Sequence, residues 1–305
     1  MTVDSLRLRS EPSVRGGRLI YVSVMGYGDA LISLQLLQRA SPLPVPLLVV
    51  GSANTTQVQD HVLGSRFTIA ELFPAHSRLY QARTAGIGAM LSDLRRFRAW
   101  MSENLRPDDR LLFEKRDWRN QMIGGAAGQR ALVPAGTGSA YFDRKRMIEA
   151  ATGRAIELPS CKRLPRAPTS VLINPSAGAP QREIGAAAMH RLVELLQRRQ
   201  CRVTVIDPAG RFASAASNFD EYHRRLVLTE ATALLRRHDL YIGPDSFFVH
   251  LAYYCEVPFF TLLPRRDFVF DFAPPGSREL GNFIGLDEVL AGSTLEQRLG
   301  AFAGW

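Results

Sequence analysis

The run Tyr241-Ile242-Gly243-Pro244-Asp245-Ser246-Phe247-Phe248-Val249-His250-Leu251-Ala252 carries an apolar strand into a helix whose first turns hold an acid, a hydroxyl and an imidazole. Asp245 is placed to cap the first backbone N–H groups. Ser246 and His250 fall four residues apart on one helix face, beside the positive end of the helix dipole, so the pattern suits a phosphate group. The same letters also fit a plain cap followed by an interface histidine.

A second acid stands at a comparable turn. In Val24-Met25-Gly26-Tyr27-Gly28-Asp29 the glycines permit a tight strand-to-helix turn and place Asp29 at the helix start. Capping is its minimum role. A carboxylate at such a lip is also able to take a proton from an incoming hydroxyl. The dinucleotide fingerprint is incomplete here, because its third glycine position is Leu31. The loop Asn174-Pro175-Ser176-Ala177-Gly178-Ala179-Pro180-Gln181-Arg182 offers small residues that let backbone amides approach a phosphate, and Arg182 to neutralise it. Asp207, after an apolar strand, stands where a ribose is often held; an exposed loop aspartate reads equally well.

These groups need elements to position them. Strand-length apolar runs alternate with segments of helical period, which predicts an α/β protein with parallel sheets. Strands are expected at 18–25, 46–50, 110–113, 170–174, 202–206, 239–242 and 258–262, and helices at 29–39, 88–103, 186–199, 230–237 and 246–254. The Pro-rich, basic stretch Leu158–Thr169 reads as a linker, dividing the chain into a unit at 1–157 and a second at 158–305. The tail 286–302 has helical spacing and is expected to pack back on a domain surface. Two such units place a ligand cleft between the carboxyl ends of their strands.

With 305 residues, 46% of them hydrophobic, the chain is able to bury a large core. Three scattered cysteines, Cys161, Cys201 and Cys255, suit reduced thiols, and the segment before Leu19 has no signal-peptide core, so a cytoplasmic protein is expected. A net charge of +9 calls for an anionic partner: a phosphorylated ligand, nucleic acid, or the surface of an anionic membrane, which leaves room for peripheral contact at its inner face. No nucleic-acid-binding module is evident, so no nucleic acid is expected as a partner.

Several chemistries are unsupported. The chain has no G-x-x-x-x-G-K-[ST], no G-x-S-x-G and no H-E-x-x-H. Neither a cofactor nor a metal site is expected, and the lack of any Asp-x-Asp pair argues against a nucleotide held through a divalent cation. Charge on a leaving group would then fall to helix dipoles, Arg182 and His250.

Taken together, Gly28-Asp29 and Asp245-Ser246-Phe247-Phe248-Val249-His250-Leu251-Ala252-Tyr253, followed by Val257-Pro258, resemble glycosyltransferase family 9, the heptosyltransferases of lipopolysaccharide core assembly. The resemblance spans most of the chain and implies the GT-B fold, two Rossmann-like domains facing each other across a cleft. It departs at Phe247, where the family has glycine, and in the loop Ser176–Arg182, which lacks the family's common tryptophan.

The resemblance implies an inverting, metal-independent transfer of a sugar, a heptose from an ADP-linked donor, with Asp29 as catalytic base. Ser176, Arg182, Asp207, Asp245, Ser246 and His250 would hold the nucleotide-diphosphate donor. Tyr27, Arg116 and Arg119 would face an acidic glycan, lipid-linked or small-molecule acceptor, with Trp118 a candidate for stacking on a sugar. A nucleotide-sugar epimerase or hydrolase on the same fold, and a non-catalytic binding module with Phe247 closing the phosphate seat, are the alternatives.

Overall fold

The computed structural model describes residues 17–64, 67–73, 86–117, 120, 131–265, 270–290 and 293–305. In chain order the first half contains β1 (Leu19–Ser23), α1 (Tyr27–Ala40), β2 (Leu47–Ser52), α2 (Ala53–Val58), β3 (Thr68–Phe73), α3 (Ile87–Asn104), β4 (Arg110–Phe113), β5 (Ala131–Leu132) and α4 (Ala140–Thr152). The second half contains β6 (Ser170–Ile173), α5 (Ala186–Arg198), β7 (Arg202–Ile206), β8 (Glu221–His223), α6 (Leu228–Arg236), β9 (Leu240–Pro244), α7 (Phe247–Tyr254) and β10 (Phe259–Leu263). It ends with α8 (Ser277–Leu280), β11 (Phe283–Gly285), α9 (Leu286–Val289) and α10 (Thr294–Ala303).

The strands form two parallel sheets, ordered β3-β2-β1-β4-β5 and β11-β10-β9-β6-β7-β8. Each central strand is covered on both faces, which is why β1, Leu-Ile-Tyr-Val-Ser, is buried at every position and reads as a continuous apolar run. Strand order reverses between β1 and β4 in one sheet and between β9 and β6 in the other. Loops at such points splay apart and leave a crevice at the carboxyl ends of the strands. Two Rossmann-like units, as expected, therefore present their crevices to a common cleft.

The helix that leads from β1 is α1, and it packs against both α4 and α7. Flanked on several sides, it meets water only near its ends: Leu31, Ile32, Leu34, Leu36 and Leu37 are all fully buried. One apolar core runs from Tyr21 and α1 through Tyr141 of α4 to Val249, Leu251 and Tyr253 of α7, so the two units meet along α1 and α7. A second core lies between β6, β7 and β9 and the helices α5 and α10. A third lies beneath α3.

Some elements differ from expectation. Strand β11, just before the tail, has no counterpart in the sequence reading; the tail itself is helical as expected, and Leu295, Leu299, Phe302 and Trp305 pack on the second sheet's core, with the Arg199 guanidinium over the Trp305 ring. Helix α4 has no counterpart in the sequence reading, because its buried face includes Asp143 and Arg144 and so breaks the apolar period.

Candidate functional site

A cleft of about 1310 Å³ opens between the two sheets. Its floor is built from turns that follow three strands: Gly26–Asp29 after β1, Asn174–Gly178 after β6, and Asp245–Phe248 after β9. Of the residues singled out in the sequence, Tyr27, Asp29, Ser176, Arg182, Asp245, Ser246 and His250 all line it. Arg119, like Trp118, lies outside the described residues. Arg116 is exposed and donates from Nη1 to the Ala135 carbonyl at 2.6 Å, away from the cleft lining.

Asp207 is the other residue away from the lining. It is fully buried, and its Oδ2 accepts from the Phe212 amide at 2.7 Å and the Tyr222 hydroxyl at 2.8 Å. The carboxylate shapes its own loop, and its neighbours Ile206 and Pro208 reach the cleft instead.

Asp29 stands in the first turn of α1, whose N-cap is Gly26 with no side-chain bond. The expected capping role is absent because the carboxylate is taken by Arg144 of α4. Arg144 is 3% exposed. Its Nη2 donates to Asp29 Oδ1, its Nη1 to the Asp29 carbonyl at 2.9 Å and Ser33 Oγ at 3.2 Å, and its Nε to the Glu114 carbonyl at 2.8 Å. Among the described residues Asp29 Oδ2 makes no hydrogen bond.

Behind this pair, Glu114 at the end of β4 holds the turn that carries Asp29. Its Oε1 accepts from the Val24 and Met25 amides, each at 2.8 Å, and its Oε2 from Ser23 Oγ at 2.9 Å. Burial pushes the Glu114 carboxyl up to about 7, against the pull of Arg144.

Across the cleft, Asp245 pairs with Arg182: Nη1 lies 3.2 Å from Oδ2 and 3.1 Å from the Asp245 carbonyl. Ser246, not Asp245, is the N-cap of α7. The ion pair engages the Asp245 carboxylate in place of the helix start expected from the sequence. Burial raises the Asp245 carboxyl, and Arg182 pulls it back. Among the described residues the buried Ser176 hydroxyl has no hydrogen-bond partner, and the buried Ser246 hydroxyl has only that of Tyr241 beside it. Buried hydroxyls beside a helix N-terminus and an arginine have the chemistry of an oxyanion seat.

His250 lies between the two halves. Its Nδ1 is 3.1 Å from the Tyr141 hydroxyl, and burial pushes the imidazole down to about 4, so it is neutral at physiological pH. A neutral imidazole meets leaving-group charge with a hydrogen bond only.

Phe247 faces Tyr27 across the cleft, with ring centroids 5.6 Å apart, and Phe248 packs on Tyr241 at 6.0 Å. The far wall is formed by Ile206, Pro208, Leu226, Val227, Leu228 and Ala231, with Arg224 and Arg225 beside it. The sequence reading assigns no role to this arginine pair. Arg144, Glu114 and Tyr141 were also missed as site residues. No local pattern marks them, because each acts on a partner distant in sequence.

Solved structures share this architecture. The E. coli heptosyltransferase WaaC, solved with ADP-2-deoxy-2-fluoro heptose, aligns with a TM-score of 0.62 at 14% identity, over 93% of this chain and 99% of its own. The fold is that of these transferases. A glycosyl transferase family 9 protein from Veillonella parvula DSM 2008 aligns with a TM-score of 0.57 at 12% identity, over 92% of this chain and 89% of its own. E. coli ADP-heptose lps heptosyltransferase II aligns at 0.57 and 10% identity, over 94% and 98%. Neither a protein-family model nor a curated protein matches the chain. The resemblance to family 9 thus holds at the level of fold.

Proposed function

We propose that this protein is a glycosyltransferase that moves a sugar from a nucleotide-diphosphate donor onto an acceptor hydroxyl, with inversion and without a metal. The observation that carries the reading is the opposition, across one cleft, of the Asp29 carboxylate and the oxyanion seat of Ser176, Arg182, Ser246 and the α7 N-terminus. The fold it shares with heptosyltransferases supports the same reading and favours an ADP-linked heptose as donor.

In this mechanism the unit at 1–157 receives the acceptor and the unit at 158–305 holds the donor. Asp29 takes the proton of the acceptor hydroxyl as its oxygen attacks the anomeric carbon. The sugar–phosphate bond breaks on the opposite face, and the departing diphosphate is met by the Arg182 guanidinium, the Ser176 and Ser246 hydroxyls and the free amides at the start of α7. His250 contributes a hydrogen bond as a neutral imidazole. The wall of Ile206, Pro208, Leu226 and Ala231 receives the nucleobase by apolar contact. Among the described acceptor candidates Tyr27 lines the cleft, beside Asn54, Gln57 and His61.

Calorimetric titration with ADP, GDP, UDP and CMP, each with and without Mg²⁺, tests the donor site. Binding of one nucleoside diphosphate, unaffected by Mg²⁺ and weakened in Arg182→Ala, is the expected result. A folded protein that binds none of them is a non-catalytic module, with Phe247 filling the seat.

A further inference from the structure

The guanidinium of Arg144 spends four hydrogen bonds on three partners from α1 and β4, and it does so almost entirely out of water. Burying a cation costs several kcal/mol before pairing, a cost that an apolar side chain of similar length avoids. What the guanidinium adds is geometry. Its Nη1 and Nη2 grip the carbonyl and the carboxylate of one residue, Asp29, so the side chain is fixed relative to its own backbone as well as to α4. Only Oδ1 is used, and Asp29 keeps 19% exposure at the cleft.

The support behind this grip is continuous. Arg144 Nε bonds the carbonyl of Glu114, whose carboxylate in turn holds the Val24 and Met25 amides of the turn leading into α1. Asp29 is thereby located from two sides, through its side chain by α4 and through its backbone turn by the end of β4.

Resting on the transferase reading above, we infer that Arg144 is a positioning residue that holds the Asp29 carboxylate in place to receive the acceptor proton. Glu114 completes the brace from behind. Neither touches the substrate. A displacement of about 1 Å in a reacting group is enough to lower turnover on the order of a hundredfold.

The test is transfer from ADP-heptose to heptose-free lipopolysaccharide by the unmodified protein, Arg144→Lys and Arg144→Met, with ADP affinity and thermal unfolding measured on each. In Arg144→Met, kcat is expected to fall about a hundredfold while the donor KM and ADP affinity change less than about threefold. Arg144→Lys, which keeps one cation and one donor toward Asp29, recovers about tenfold of that loss.

Full turnover by a folded Arg144→Met protein overturns the inference and leaves the transferase reading intact. So does a parallel fall of kcat and ADP affinity that lysine does not relieve, since that marks a collapsed site. Absence of transfer by the unmodified protein defeats both. Nitrogen-labelled arginine spectra report the pair without any substrate: one guanidinium with slowed exchange, lost in Asp29→Ala, is expected, and its absence from the unmodified protein also overturns the inference.

Discussion

Gly28 and His250 touch across the boundary between the two units: a Cβ placed on Gly28 would lie 3.0 Å from His250 Cδ2 and 3.5 Å from Nε2. The backbone of α1 therefore comes this near to α7 only because residue 28 has no side chain. Alanine at that position asks the imidazole to yield by a few tenths of an ångström, and the better helix propensity of alanine offsets part of that strain. Gly28→Ala is expected to change stability by less than about 1 kcal/mol. Gly28→Val overpacks the contact and destabilises by about 2 kcal/mol, measured by urea unfolding.

Glu114 and His250 make opposite contributions to stability as pH changes. Glu114 is raised from 4.5 to about 7, so the native state binds its proton more tightly, and its stabilisation is present below 4.5 and lost as pH rises through 7. His250 is lowered from 6.5 to about 4, so the unfolded chain takes up the proton first, and stability is lost as pH falls from 6.5 toward 4.

The groups facing Glu114 are Arg144 from α4, Asp29 from α1 and Tyr21 from β1; those facing His250 are Asp29, Arg144, Arg182 and Tyr141. Glutamine at 114 still accepts both amides and donates to Ser23 Oγ, so Glu114→Gln removes the titration with little change of shape. Unfolding free energies at pH 4.5 and 7.5 are expected to show Glu114→Gln losing stability on acidification more steeply than the unmodified protein. Equal slopes would refute the assignment.

Much of the framework was legible. The strands Arg110–Phe113 and Arg202–Ile206 were read with their observed bounds, because apolar runs of that length flanked by charges have few other solutions. The cleft residues Asp29, Ser246 and His250 were legible because each lies beside a strand-to-helix turn, where the fold forces side chains toward the crevice. What was not legible depends on distant partners. Arg144 lies 115 positions from Asp29, and nothing local separates a buried arginine on α4 from the solvated ones around it. Asp245 looked like a cap because the sequence does not show that Arg182 folds over to claim it, and Asp207 was misread for lack of sight of Tyr222.

Arg182→Ala leaves Asp245 buried without its cation and removes one charge-assisted donor from the oxyanion seat. The affinity for a nucleoside diphosphate is expected to fall about tenfold to a hundredfold, in line with about 1.5–3 kcal/mol for such a bond. Arg182→Ala with Asp245→Asn removes the stranded charge as well. It is expected to regain thermal stability while leaving affinity low, as calorimetry on both proteins would show.

Since His250 is pushed down to about 4, lowering the pH from 8 to 6 creates no imidazolium in the cleft. ADP affinity in the unmodified protein and in His250→Gln is expected to have the same pH dependence over that range. A rise in affinity toward pH 6 that vanishes in His250→Gln would mean that the histidine acts as a cation.

Asp29 is the group on which the proposed transfer turns. The most direct measurement is ADP release from ADP-heptose with heptose-free lipopolysaccharide present or omitted, by the unmodified protein and by Asp29→Asn. Release is expected only with the acceptor present, with a loss of about a thousandfold in Asp29→Asn and ADP binding retained. Release without acceptor, or undiminished release by Asp29→Asn, would contradict that expectation.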